Sequence, residues 1–239
     1  MPLPKITTPT YELELPSNKK TIHYRPFLVK EEKILIIAME SEDAKQITNA
    51  VKTVISNCIL TKGVKVNELS TFDIEYLFLN IRGKSVGESV DVLITCPDDG
   101  TTQVPISINL DEIKVTVSEK HSKDIKLDDT LSLRMKYPSI EEFIKNNFSI
   151  EESVSVDETF DLITSCIDQV YNEEESWSAS DCTKKELNEF LEQLDSNQFK
   201  KVESFFETMP KLSHKIEIKN PNTKVKSEVI LEGLNSFFA

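Results

Sequence analysis

The chain is 239 residues long, 38% hydrophobic and 29% charged, with a formal net charge of −13 at pH 7. A chain of this size buries a core without disulfide staples, and so negative a polypeptide is repelled by nucleic acid and by anionic membrane surfaces. No stretch reaches the roughly 20 apolar residues of a membrane helix, and the start, MPLPKITTPTYELEL, lacks the apolar run of a secretory signal, so folding in the cytosol is expected.

Tyr11, Leu13 and Leu15 alternate with Glu12 and Glu14, the period-2 pattern of a half-buried strand. Residues 16–20 (PSNKK) predict a turn. Residues 21–26 predict a second strand with Ile22 and Tyr24 on one face, closing a β-hairpin. Helix is predicted over 29–59, interrupted at Ser41, Glu42 and Asp43, where a second helix starts with the apolar stripe Ile47, Val51, Val54 and Cys58. A third helix opens at Ser70 or Thr71, with Asp73 and Glu75 in its first turn and Arg82 in its last, the order that suits the helix dipole. Phe72, Ile74, Leu77, Phe78, Leu79 and Ile81 make it apolar on most sides, which predicts the centre of an N-terminal core. Val90, Val92, Ile94 and Cys96, then Val104, Ile106, Ile108 and Leu110, flank Pro97-Asp98-Asp99-Gly100, a hairpin with its turn residues in place. Two strands are expected around 113–117 and 131–135.

Ser139, Ile140, Glu141 and Glu142 form a capping-box pattern for a short helix. A soft boundary at 147–153 gives an expected α+β domain over 1–150 and a helical region with a hairpin over 151–239. Phe160, Ile163, Ile167 and Val170 predict an amphipathic helix that ends in the polar loop 172–175. Thr183 with Glu186, and Asp195 with Gln198, cap two further helices. Their apolar faces are Leu187, Phe190, Leu191 and Leu194, then Phe199, Val202, Phe206 and Met209, and Pro210 stops the second. Ile216 and Ile218, the turn Asn220-Pro221-Asn222-Thr223, and Val225, Val229 and Leu231 form a closing hairpin, similar in plan to the one at 90–110. The expected fold class is α+β: an N-terminal β-hairpin and helices packed with antiparallel hairpins, then a helical region ending in a C-terminal β-hairpin.

No chemistry-bearing motif occurs. HExxH, GxSxG, GxxxxGK[ST] and GxGxxG are all absent, and the five glycines are scattered, so no phosphate cradle is expected. The three histidines, His23, His121 and His214, lie far in sequence from any nucleophile, and enzymatic activity is not expected. Cys58, Cys96, Cys166 and Cys182 form no CxxC pair and read as small buried hydrophobes. Both hairpin knuckles have the plan of a zinc-ribbon tip, but one thiolate, Cys96, cannot close a structural zinc site. Asp98-Asp99 reads as turn chemistry, and no cofactor or metal is expected. The basic residues Lys211, His214, Lys215, Lys219, Lys224 and Lys226 lack interleaved aromatics for stacking on bases; they read as a lysine-protected sheet edge or as a face for an acidic partner. Phe205, Phe206, Met209 and Pro210 precede the last hairpin and Phe237 and Phe238 close the chain. The terminal pair is expected to tuck back on the last helix, with an offer to a partner as the alternative.

Three blocks carry a resemblance: TPTYELELPSNKKTIHYRPFLVKEEKILIIAMES, DIEYLFLNIRGKSVGESVDVLITCPDDG and QFKKVESFFETMPKLSHKIEIKNPNTKVKSEVILEGLNSFF. Together, and in this order, they resemble the baseplate hub assembly protein family of T-even-type myoviruses across essentially the whole chain. Some members of that family carry paired cysteines in the C-terminal knuckle; Asn220 and Thr223 stand there in this chain, so no metal is carried over. The resemblance implies a virus-encoded assembly chaperone or hub subunit, placed in the host cytoplasm during assembly or in the virion tail baseplate. Its implied partners are other hub proteins, with no nucleic acid, membrane or small-molecule substrate. The contact residues expected for such a role are Tyr24, Arg25, Pro26 and Phe27, then Phe205, Phe206, Met209 and Pro210, then Phe237 and Phe238. A non-viral peptide-binding adaptor and a hydrolase with a dispersed site are the competing readings.

Overall fold

Apolar burial divides the residues described by the computed structural model, 6–41, 43–139 and 156–237, between two hydrophobic cores. Among these residues are six α-helices and eleven strands in small antiparallel sheets, so the fold class is α+β with a hairpin near each end.

The first core begins with the hairpin β1 (Tyr11–Glu14) and β2 (Thr21–Tyr24), which sets Leu13 opposite Ile22. Helices α1 (Val29–Glu40) and α2 (Ala44–Cys58) follow, split near Ser41 as the capping residues predict. The α2 stripe Ile47, Val51, Val54 and Cys58 is buried, as its spacing requires. Helix α3 (Thr71–Val86) is buried along most of its length, with Ile74, Leu77, Leu79 and Ile81 at its centre. The hairpin β3 (Ser89–Thr95) and β4 (Gln103–Asn109) and the short β5 (Lys114–Thr116) complete the first pass.

The second core takes β6 (Asp124–Lys126), β7 (Ser132–Met135), α4 (Val156–Ser165), β8 (Ile167–Tyr171), β9 (Ser176–Ser178), α5 (Lys184–Glu192) and α6 (Ser196–Thr208). Its sheet runs β6-β7-β8-β9. The capping boxes of α5 and α6 form as expected: the Thr183 N–H donates to Glu186 at 2.7 Å, and the Asp195 side chain accepts from the Gln198 N–H at 2.9 Å. The chain then returns. β10 (Lys211–Lys219) pairs with β5, Leu212 opposite Val115, and β11 (Lys226–Glu232) pairs with β10, so Leu212, Ile218 and Phe237 are buried in the first core.

One expectation changes. Ile167 and Val170 belong to strand β8, not to the helix that holds Phe160 and Ile163. The 3-4-3 spacing of these four residues suits a helix, but the helix stops at Ser165. The β-branched and aromatic run Ile167–Tyr171 instead extends the β6–β7 sheet, pairing Val170 with Leu133. The expected boundary at 147–153 and the helix opening at Ser139 lie outside the described residues, apart from Ser139 itself. Among the described residues, the second core is built from chain that lies between β5 and β10.

Three hairpin loops share one build. In Leu15-Pro16-Ser17-Asn18-Lys19, Cys96-Pro97-Asp98-Asp99-Gly100 and Asn220-Pro221-Asn222-Thr223-Lys224, proline follows the first residue, and the fifth has positive φ (59° at Lys19, 66° at Gly100, 65° at Lys224). The N–H of the fifth residue donates back to the first carbonyl, at 2.9, 2.9 and 3.0 Å in turn. Proline presets φ early in the loop, and the left-handed fifth residue reverses the chain.

Candidate interaction surfaces

The 24–27 segment crosses from β2 to α1 and works inside the chain. Tyr24 and Pro26 are buried, and Arg25 and Phe27 are half-buried. The Arg25 guanidinium donates to the buried Glu31 carboxylate at 2.9 Å and to the Pro26 carbonyl at 2.8 Å. Glu31 in turn accepts from the Leu28 N–H at 2.9 Å, satisfying a donor at the start of α1. Burial alone would raise the Glu31 pKa; the Arg25 bond and the Leu28 N–H outweigh it and hold the carboxyl below its ordinary value. The segment is therefore a brace for the start of α1, and its buried side chains offer no surface.

The segment 205–210, which ends α6 and leads into β10, is likewise packed within the chain. Phe205 and Pro210 are buried, and Phe206 and Met209 are half-buried. Phe205 lies 5.1 Å from the His121 ring and 5.8 Å from Tyr137, and Tyr137 packs edge-on against Phe72 at 4.8 Å. His121 bridges this group, with Nδ1 at 3.1 Å from the Thr208 hydroxyl and Nε2 at 3.0 Å from the Tyr137 hydroxyl. Burial, aided by Lys123, lowers the His121 pKa, which favours the neutral ring. Thr71 adds a hydroxyl bond to the Pro138 carbonyl at 2.8 Å. This cluster joins the second core to α3 of the first. Phe237 docks as the alternative to fraying requires, but into the first core, not onto α6; Phe238 lies outside the described residues.

The knuckles of the second and third loops touch. Asn220, buried, donates its amide to Asp98 (3.1 Å to each oxygen) and to Asp99 (2.9 Å), the Thr223 hydroxyl donates to Asp98, and the Asn222 amide reaches the Thr102 hydroxyl at 3.0 Å. Asp99 also accepts the backbone N–H groups of Thr101 and Thr102, both at 3.0 Å, which is the turn chemistry expected of it. Asp98 does something sequence reasoning missed: it ties one hairpin to another 122 residues away. The clue was the shared Pro-containing plan of the two knuckles. Among the described residues, no group of three or more His, Cys, Asp or Glu is arranged to hold a metal ion.

The outward features are sheet edges and one helix face. β11 is the outer strand of its sheet and exposes Ile230. β9 is the outer strand of the four-stranded sheet and exposes Trp177, the chain's single tryptophan. The lysines of the last hairpin pair with acids across its two strands: Lys215 lies 2.8 Å from Glu228 and Lys211 3.4 Å from Glu232. Helix α1 exposes Val29, Ile36, Ile37 and Met39. A cleft of ≈ 750 Å³ at the junction is lined from both cores, by Asn18, Glu68, Lys123 and Lys136 among others. No helix among the described residues is long and apolar enough to cross a membrane.

Hairpins, open edges and an apolar helix face on a polyanion are the equipment of a protein that meets other proteins. The comparison of families is specific: the model of the family described as T4 bacteriophage base plate protein matches residues 8–239, and the chain belongs to that family. It is a phage baseplate protein, and its partners are other proteins of the tail baseplate. No curated protein and no solved structure shows significant similarity to it.

Proposed function

We propose that this chain acts in assembly of the baseplate hub, in the host cytoplasm, by non-covalent contact with other hub proteins and without catalysing a reaction. The observation that carries this reading is the open outer edge of β11, where Ile230 is 59% exposed on a seven-residue strand. An edge of that length offers a row of main-chain donors and acceptors, and a partner strand adds to it with an apolar anchor at Ile230. The resemblance of the whole chain to hub assembly proteins points the same way.

Phage lacking this gene should yield baseplates without a central hub, seen by electron microscopy of infected-cell lysates. Complete hubs in that mutant would overturn the reading. Mass spectrometry of purified virions separates two roles within it: a fixed copy number marks a hub subunit, and absence from virions that contain hubs marks a chaperone. Ile230→Lys should lower co-purification with hub proteins while leaving the thermal melt unchanged, because the side chain is exposed.

A further inference from the structure

Helix α1 carries two apolar faces. Ile34, Leu35 and Ala38, with the buried Glu31, face the first core. On the opposite side Val29, Lys33, Ile36 and Glu40 recur at steps of four, three and four residues, flanked by Ile37 and Met39. Of these, Val29 is 79% exposed, Ile36 50%, Ile37 53% and Met39 57%. Large apolar side chains exposed side by side mark a face that meets another protein, and 4-3-4 spacing is that of a seam on which helices pack.

We infer that a second copy of this chain covers the outer face of α1, in an antiparallel, two-fold arrangement of the α1–α2 helix pairs. The seam is self-complementary. With the two-fold axis between Ile36 and Ile37, each Ile36 meets Ile37 of the second copy, and each Lys33 meets Glu40 of the second copy. Both charges are exposed, and neither has an ion-pair partner among the described residues. Ile37 of the exposed face also lines a groove between α1 and α2 with Ala38, Ala50 and Thr53. A parallel pairing would instead oppose Lys33 to Lys33. The face also avoids the chain's overall charge: residues 29–58 hold four lysines and five acids, against −13 for the whole chain. Two copies therefore meet there with little mutual repulsion. The contact is isologous, so it closes at two copies. This inference does not rest on the hub reading.

The test is sedimentation of the full chain over a range from micromolar to several hundred micromolar. A concentration-dependent dimer is expected. Ile36→Asp should leave only monomer, with an unchanged melt and circular dichroism because Ile36 packs on nothing in its own chain's core. Lys33→Glu should raise the dissociation constant about tenfold, since two pairs turn repulsive across the axis, and Lys33→Glu combined with Glu40→Lys should restore it. A wild-type chain that stays monomeric throughout would overturn the inference and leave the face to a different baseplate protein. So would a dimer that survives Ile36→Asp, or a charge swap that fails to restore association.

Discussion

The Arg25 guanidinium lies 2.9 Å from a Glu31 carboxylate that has no exposure to solvent. Removing one partner of a buried pair costs about 3–5 kcal/mol when the other charge is left alone; Lys30 Nζ, 3.3 Å from the same carboxylate, sets the expectation at the low end of that range. Arg25→Met should therefore lower stability in urea unfolding by an amount in that range, and Arg25→Met with Glu31→Gln should recover part of it. The pH dependence has a fixed sign. The folded Glu31 titrates below its ordinary 4.5, so its contribution is present above pH 4.5 and is lost as pH falls through the folded value. Urea midpoints measured from pH 6 to pH 3 should show a slope that flattens in the double variant.

The knuckle clasp gives a second expectation. Asn220→Asp places a third carboxylate against Asp98 and Asp99 and removes their shared donor, so it should destabilise more than Asn220→Ala. Hydrogen bonds from Thr223 and Asn220 hold the Asp98 pKa down, so the clasp is made above the usual carboxylate range and weakens as pH falls. Hydrogen exchange at the two loop tips, compared at neutral and acid pH, checks both points; equal protection in wild type and Asn220→Asp would contradict them.

The repeated loop build makes a paired test of backbone strain. The fifth residue is left-handed in each loop, which costs a residue with a Cβ about 1–2 kcal/mol. A Cβ at Gly100 would meet nothing within 4 Å, so Gly100→Ala isolates the backbone cost and should lower the melting temperature. Lys224→Gly should raise it by a smaller amount, because glycine also gains freedom in the unfolded chain. Opposite signs in differential scanning calorimetry are the expected result.

His121 predicts how the junction between the cores responds to acid. Its folded pKa lies below the ordinary 6.5, so the unfolded chain takes the proton first and the contribution of His121 declines as pH falls below 6.5. Wild-type stability should drop between pH 7 and 5, and His121→Gln should remove that part of the slope while lowering stability at pH 7.

Phe237 is fully buried in the first core. Phe237→Ala should cost about 3–5 kcal/mol in urea unfolding. A change below ~1 kcal/mol would restore the reading in which this side chain serves a partner.

Residues that pack within one element were legible in the sequence. The β1–β2 alternation and the α2 stripe each report a single buried face, and period alone locates it. The capping boxes were legible because they are local chemistry. What escaped depends on distant partners. Ile167 and Val170 fit a helix until the sheet beside them needed another strand. β6, only three residues long, is too short to show a period. Arg25 and Phe205 read as contact residues because aromatic and arginine side chains anchor interfaces as readily as interiors, and only the partner distinguishes the two. Arg25 supports the first turn of α1 and Phe205 the junction of the cores, while the outward apolar side chains of α1 were hidden within the apolar run 34–39.

The placement of β10 beside β5 has a consequence for synthesis. As the polypeptide leaves the ribosome, β5 emerges some 95 residues ahead of the strand that seals it, and in the interval the inserted lobe is completed first. The early lobe must wait, with an open seam, for the last portion of the message to be translated. A premature stop anywhere before the final hairpin would therefore leave the oldest part of the molecule unsealed, however much of the sequence had already been made.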